Sequence, residues 1–424
     1  MDRIAIVNGI RTPFCKIGTA LQNMTAQDLG RVVSREVIER TRLDPKDIDE
    51  VIFGNVAQPA DAANVSRVIA LMAGLPVTTP AFTVHRNCAS GIEAVVNASI
   101  KIQVGEGKCI LAGGTESMSN IPFFMQKSLQ DLFTQMSRAK TSWQKLGVFA
   151  KFRPKHFSPR IGLQLGLTDP ACGLNMGQTA EVLAKEFGIP REEQDHFALV
   201  SHQRAVAARE TLREEIVPVS PSPAYKEFVQ DDIGPRDNQT MEALAKLSPY
   251  FDRRAGTVTA GNSSQITDGA AALLVMSETR VKDLKLEPLG YVRAFAFAGV
   301  EPHRMGIGPA HAIPRALKKA GMKLSDIQAF EINEAFAVQV LACLRSLESA
   351  DFAKKFGYEG YTGMIRREIL NIHGGAIALG HPVGATGARL ILTMLKHMKR
   401  KNLNVGLVSL CVGGGQGAAV ILER

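Results

Sequence analysis

Apolar residues arrive along this chain in two rhythms, and their alternation predicts its architecture. Ile4 to Val7 is a short continuous apolar run, closed by the turn-like Gly9 and the extended Arg11-Thr12-Pro13. It reads as a buried strand. Leu29, Val32, Val33, Val37 and Ile38 then recur at helical spacing up to Arg42, and residues 43–54 form a turn followed by a second buried strand. Residues 62–73 are helical again. A strand-like lead-in at 81–84 precedes Cys88, after which Ile92, Val95, Val96 and Ile100 mark a helix that Gly105 stops. Residues 108–114 make a further apolar strand. Strand and helix in this order predict an α/β fold with substantial parallel pairing.

After Met118 the rhythm breaks. Residues 118 to about 253 hold few strand candidates, a Pro/Ser stretch at 218–223, and helical patterns at 179–187 and 191–214, the latter opened by Pro190. β texture returns in Thr257-Val258-Thr259 and in the run from Ala270 to Met276. From Leu289 the pattern of the first hundred residues recurs: Asp326-Ile327 falls where Asp47-Ile48 did, Phe330 and Ile332 where Val51 and Phe53 did. Gly384-Ala385-Thr386-Gly387 opens a helix as Cys88-Ala89-Ser90-Gly91 does, and 405–410 repeats the strand at 108–113. This is a duplicated unit, each half bringing loops to a shared centre. The expected division is 1–117 with 254–277 as one half, 118–253 as an insertion, and 278–424 as the second half.

Composition narrows the class. A chain of 424 residues, 45% hydrophobic and 21% charged, has room for two to three domains with sizeable cores. Its six cysteines are scattered without a CxxC pair, which argues against a disulfide framework or a zinc site and for a reducing compartment. The first seven residues are too short an apolar run for a secretory signal, no stretch reaches the roughly 18 apolar residues of a membrane span, and Leu422-Glu423-Arg424 is not the peroxisomal tripeptide. The expected location is cytoplasmic. A net charge of +9 invites a nucleic-acid reading. Yet Lys127, Arg138, Lys140, Lys145, Lys151, Arg153, Lys155 and Arg160 face only Asp131 between positions 127 and 160, so most of the excess is one local feature and no nucleic-acid partner is expected.

Candidate chemistry sits at the loop positions of the two halves. Cys88 lies at or just before a helix start, where free backbone N–H groups and the macrodipole favour a thiolate; the alternative is a cysteine that simply packs. In the second half Asn333-Glu334-Ala335-Phe336 follows one strand, His381 stands between Gly380 and Pro382, and Cys411 enters the glycine loop Gly413-Gly414-Gly415. A histidine within reach of a cysteine can act as its base. Glycines after Cys411 would let backbone N–H groups approach a reacting carbonyl. The other histidines weighed beside His381, such as His202, His311 and His397, read as structural.

Taken together, Cys-Ala-Ser-Gly at 88, Asn-Glu-Ala-Phe at 333, Gly-His-Pro at 380 and Cys-Val-Gly at 411 resemble the thiolase family of acyl-CoA acyltransferases. The stretches 113–119, 175–181 and 257–264 extend the resemblance over essentially the whole chain. It implies the thiolase fold: two βαβαβαββ halves in five α-β-α-β-α layers, with an inserted loop domain that binds coenzyme A. It also implies roles. Cys88 is the nucleophile on a 3-ketoacyl-CoA, His381 its base, and Cys411 the second acid/base. One oxyanion hole would use His381 with a water held by Asn333, the other the N–H groups of Cys88 and Gly413. Arg236 and Ser264 match the family's CoA contacts. Asn175 stands where short-chain members often have His, and Ala243 where Ser is frequent. No metal or redox cofactor is expected, coenzyme A being a substrate.

Phe123, Phe124, Leu129, Leu132, Phe133, Trp143, Phe149 and Phe152 interleave with the basic residues of segment 118–175. Such a stretch suits an anionic membrane surface or a cover over an acyl tunnel; packing on a dimer mate is the alternative. It resembles the cover loop of β-subunits in fatty-acid-oxidation complexes, which implies longer acyl chains and a hydratase/dehydrogenase α-subunit partner. The family implies at least a homodimer. The rival function is a biosynthetic acetoacetyl-CoA thiolase. A ketoacyl synthase fits Cys88 but not Cys411, and a non-catalytic lipid-binding relative would be expected to lose Cys88, His381 or Cys411.

Overall fold

The computed structural model describes residues 2–424 and sets the apolar runs side by side in one hydrogen-bonded order. From edge to edge this is Ala81–Val84, Glu50–Gly54, Cys109–Glu116, Thr267–Ser277, Ile4–Arg11, Gly290–Gly299, Gln416–Glu423, Val405–Val412 and Ala329–Ile332. In each half the outer strands pair parallel and the inner ones antiparallel. The order on one side of the seam repeats on the other. Ile4–Ile6 against Gly290–Val292 is that seam. The counterpart of Ala81–Val84 in the second half is reduced to a single parallel bridge, Phe330 to Leu370. Where the first half runs from Glu116 through a long excursion to Thr267, the second turns from Val412 to Gln416 through three glycines.

Side-chain packing makes five layers. One core joins Ile110 and Ala112 of the first half-sheet to Val408 and Val420 of the second through Ile92, Val95, Ile391 and Leu395. Those four lie on the helices Ser90–Gln103 and Val383–Lys401, which are therefore sandwiched between the half-sheets. A second core packs Leu29, Val33, Val37 and Ile69 on the outer face of the first half. A third packs Ile313, Leu317, Val340 and Leu344 on the outer face of the second. Each fully buried Leu or Ile contributes about 1.5–3 kcal/mol, so the two central helices, apolar nearly all round, belong in the middle.

Helix ends follow their local chemistry. Thr25 and Asp28 form a capping box at Ala26–Thr41, which Arg42 closes in the left-handed conformation. Val383–Lys401 ends at left-handed Asn402 after Lys399, Arg400 and Lys401, whose charges suit the C-terminal dipole. The central helices cross at their starts with no room for a side chain: a Cβ on Gly91 would lie 2.6 Å from the Ala388 nitrogen, and one on Gly387 2.4 Å from the Ile92 nitrogen.

Two expectations need correction. Thr257-Val258-Thr259 is not a strand. The amides of Thr257 and Val258 donate to the buried Glu181 carboxylate and that of Thr259 to Asn262 Oδ1, so side chains take the place of a sheet partner. The helix expected over 191–214 is two, Arg191–Ala207 and Arg209–Arg213, broken at Ala208. The excursion is otherwise helical, with a two-stranded ribbon of Phe123–Phe124 and Arg160–Ile161. Arg11, wholly buried, ties it to the first strand by pairing with Glu215 at 2.7 Å and Asp232 at 2.6 Å.

Candidate active site

Cys88 stands on a tight turn between the edge strand and the central helix. Asn87, just before it, has φ of 43°, a left-handed conformation that Asn tolerates better than most residues. Ser90 closes the turn: its Oγ accepts from the Arg86 amide at 2.9 Å and donates to the Asn87 carbonyl at 2.7 Å. The helix starts at Ser90, one residue after its Ala89 cap. Asn87 Nδ2 donates to the Gly413 carbonyl at 2.6 Å, joining this turn to the glycine loop of the other half.

The Cys88 residue is half-buried while its sulfur is enclosed by protein. Burial pushes its pKa up, and the N–H groups of Gly413 and of Cys88 itself, both directed at the sulfur, pull it part of the way back. The helix start therefore does not by itself make the thiolate expected from sequence, because desolvation outweighs it. Cys411 ends the strand Val405–Val412, is buried, and is pushed well above the usual thiol value by burial and then by the neighbouring Cys88 and Cys343 thiols. Both sulfurs rest as thiols and need a base.

His381 is the imidazole expected to serve as that base, and the fold holds its ring in one setting. Its amide donates to the Gln265 carbonyl at 3.0 Å, and its Nδ1 lies 2.7 Å from Thr386 Oγ1. The Thr386 hydroxyl spends its proton on the Pro382 carbonyl at 3.1 Å, so Nδ1 carries the ring hydrogen and Nε2 keeps a lone pair. Burial, helped by Arg389, lowers the pKa to about 3 and keeps the imidazole neutral. Nε2 is buried with no partner, as are both side-chain polar atoms of Asn333. Leaving such groups unsatisfied costs about 1–3 kcal/mol each, and unpaired donors and acceptors of this kind are what a substrate or bound water completes. Asn333 follows the strand Ala329–Ile332 and donates its amide to the Ser409 carbonyl at 2.9 Å, two residues before Cys411. The next residue, Glu334, is buried and accepts from Ser201, Asn371 and the Ile377 amide, clamping this loop to the one that leads to His381.

A cavity of about 500 Å³ opens onto Cys88 and Gly413. Val56, Ala57, Met118, Ile121, Leu163 and Val383 give it apolar walls, with Thr168 and Asp169 at hand. Cys411, His381 and Asn333 are nearly inaccessible and do not line the cavity. Ser264 is half-buried and donates its amide to the Ala335 carbonyl, one residue before the Gln265 that holds His381. Arg236 is exposed on a loop whose Gly234 carbonyl accepts from Gln265 Nε2 at 3.3 Å. Asn175 is a helix N-cap, its oxygen accepting from the Gln178 amide at 2.9 Å, and Ala243 is exposed on the short helix Met241–Ala245. Sequence reasoning gave no role to Thr386 or Glu116. Glu116 lies in a stretch that carries the family resemblance and Thr386 just beyond one, yet only their partners in space show what they do. Among the described residues no cluster of three His, Cys, Asp or Glu side chains is placed to hold a metal ion.

Known proteins match this chain throughout. The family model described as thiolase, N-terminal domain covers residues 4–279, and that for the thiolase C-terminal domain covers 286–424. A 3-ketoacyl-CoA thiolase of Pectobacterium carotovorum is 42% identical over 100% of this chain and 97% of its own length; one of Aliivibrio fischeri is 41% identical over 100% and 96%. Among solved structures, human mitochondrial 3-ketoacyl-CoA thiolase aligns with a TM-score of 0.87 at 36% identity, covering 100% of this chain and 99% of that one. The Bacillus anthracis acetyl-CoA acetyltransferase aligns equally well at 37% identity, with the same coverage. With two family models spanning nearly its full length, the strand order duplicated about a seam, and the glycine loop of the second half bonded to the Cys88 turn of the first, the chain belongs to the thiolase family.

Proposed function

We propose that this chain cleaves 3-ketoacyl-CoA with coenzyme A, giving acetyl-CoA and an acyl-CoA two carbons shorter. The observation that carries the reading is a Cys88 thiol met by the N–H groups of Cys88 and Gly413 and neighboured by a second thiol, Cys411, in a chain that also holds a neutral, partnerless His381 Nε2. His381 Nε2 takes the Cys88 proton as the sulfur attacks the 3-keto carbon, whose oxygen gathers charge near His381 and a water on Asn333. The bond between C2 and C3 then breaks. C2 takes a proton from Cys411, acetyl-CoA leaves, and the acyl group stays on Cys88. Coenzyme A returns a proton to Cys411 and attacks the thioester, whose oxyanion is met by the N–H groups of Cys88 and Gly413. Cys88 leaves and recovers its proton from His381. Arg236 and Ser264 would contact coenzyme A, and the chemistry draws on no metal or redox cofactor.

Acyl chains longer than four carbons suit the cavity, because Ile121 and Leu163 from the excursion extend its apolar wall. The condensation of two acetyl-CoA is the second reading, favoured by the match to the acetyl-CoA acetyltransferase. A homodimer or tetramer accords with the edge strand Ala81–Val84, half-buried with only one neighbour. Trp143, Phe149 and Phe123, exposed beside basic residues, suit an α-subunit or an anionic membrane surface. The setting would be cytoplasmic fatty-acid oxidation. Thiolysis of C4 against C12–C16 3-ketoacyl-CoAs tests the reading. Activity confined to C4 would reverse it in favour of the acetoacetyl enzyme, and a Cys88→Ala protein that still formed a covalent acyl intermediate would remove the mechanism.

A further inference from the structure

Glu116 ends the third strand of the first half and is completely buried. No Lys, Arg or His among the described residues bonds to it. Four N–H donors surround its carboxylate instead. Oε1 accepts from the Ala57 amide at 2.9 Å and Asn55 Nδ2 at 3.2 Å, and Oε2 from the Val56 and Gly384 amides, both at 3.0 Å. The last of these comes from the other half of the molecule. Helix Val383–Lys401 has Pro382 as its N-cap, with no side chain able to cap it, so Glu116 supplies that cap from across the interface and also meets the positive end of the helix dipole. The contact has no slack. A Cβ on Gly384 would lie 2.8 Å from Oε2, and one on Gly114 would lie 1.9 Å from the Gly384 carbonyl oxygen.

What Glu116 holds together is the cavity. Val56 and Ala57 line it from the first half, Val383 lines it from the second, and Cys88 lines it too. We infer that Glu116 is a positioning residue for acyl-chain selection: its carboxylate latches the Val56–Ala57 wall to the Val383 wall and thereby sets the width of the cavity beside Cys88. The inference rests on the thiolase reading above. A carboxylate suits the task because it is an acceptor on both oxygens. A carboxamide keeps one oxygen but turns an NH₂ group toward two N–H donors, removing two hydrogen bonds and leaving donors face to face. At about 0.5–1.5 kcal/mol per bond, the walls lose roughly a tenfold to hundredfold preference for their closed spacing.

The test uses the full chain as wild type, Glu116→Gln and Glu116→Asp, with straight-chain and methyl-branched 3-ketoacyl-CoAs of equal length. In Glu116→Gln the branched-to-straight ratio of kcat/KM should rise by about tenfold or more, while KM for coenzyme A stays within about twofold. Glu116→Asp, which keeps the charge on a shorter arm, should fall between. A uniform loss on both substrates, or an unchanged ratio, overturns the inference. Inactive wild type on every 3-ketoacyl-CoA overturns the functional reading instead. Amide hydrogen exchange serves where turnover is lost: Val56, Ala57 and Gly384 should lose protection together in Glu116→Gln, and retained protection at these three would show there is no latch. Should Glu116→Gln fail to fold, Asn55→Ser removes only the Nδ2 donor and should shift the same ratio in the same direction by a smaller factor; no shift there overturns the inference.

Discussion

At the scale of single residues, catalysis depends on which polar atoms are left without partners. In the proposed mechanism His381 can serve because Thr386 occupies Nδ1 and no described residue occupies Nε2. Replacing Thr386 by Val strands the Nδ1 hydrogen in a dry site at a cost of about 1–3 kcal/mol, so the ring turns or changes tautomer. Thr386→Val should lose roughly ten- to a hundredfold in kcat/KM with KM for coenzyme A little changed, and Cys88 should alkylate more slowly with iodoacetamide. Cys411→Ser exchanges a thiol for a far weaker acid. Turnover should fall by about 10²–10⁴, and acyl-Cys88 should form from 3-ketoacyl-CoA more slowly in the intact-protein mass spectrum, because C2 loses its proton donor. Cys88, His381, Cys411 and Asn333 could be singled out from the sequence because each sits in a short, distinctive run of residue types. Thr386 could not, since its role is a hydrogen bond five residues back that any helix-start Thr could make or miss. The ionisation of Cys88 was misread because a helix start is visible in sequence and the desolvation that opposes it is not.

At the scale of elements, apolar periodicity located most strands and helices of the first half and several of the second, left Gly290–Gly299 and Ala337–Glu348 unassigned, and failed where side chains replaced a regular partner. Thr257 to Thr259 has β-branched residues in strand order, yet Glu181 and Asn262 capture its amides and no strand lies beside it. The close crossing of the central helices could not be read at all, because a helix-start glycine carries no sign of what will touch it. That crossing is testable. Alanine normally improves a helix over glycine by about 1 kcal/mol, and Gly147 in the helix Ser142–Phe149 has open space around it, so Gly147→Ala should raise the thermal midpoint slightly. A methyl on Gly387 would meet backbone at 2.4 Å. Overpacking of this kind costs about 1–3 kcal/mol, which exceeds the propensity gain. Gly387→Ala should therefore lower the midpoint in a melting experiment, and it should cost activity because it spreads the helices that carry the Cys88 and His381 loops.

At the scale of the whole molecule, duplication was readable as a repeated pattern, while the layering it produces depends on burial that only the folded chain reveals. The same burial writes a pH dependence into stability. His202, His311 and His397 are buried and lowered to about 4, and His381 to about 3. An unfolded histidine titrates near 6.5. For a group depressed in the fold, stability is present above the unfolded pKa and is lost as pH falls toward the folded one. Buried carboxylates act the other way. Burial raises Glu116 to about 7 and Glu331 to about 8, so they take stability away as pH rises from the ordinary carboxylate value and return it on acidification. As pH falls from about 6.5 to about 4.5 the depressed histidines, His373 at about 4 among them, draw the protein toward unfolding, and the raised carboxylates, Glu334 and Asp268 included, offset part of that loss. His397 packs against the His373 ring, centroids 5.2 Å apart, with Arg400 and Lys401 close by. His397→Phe keeps a ring and removes one titration, so the decline of thermal midpoint with acid should be shallower by about one proton. A slope identical to wild type would show that His397 is already charged in the folded protein, and that the acid sensitivity arises elsewhere.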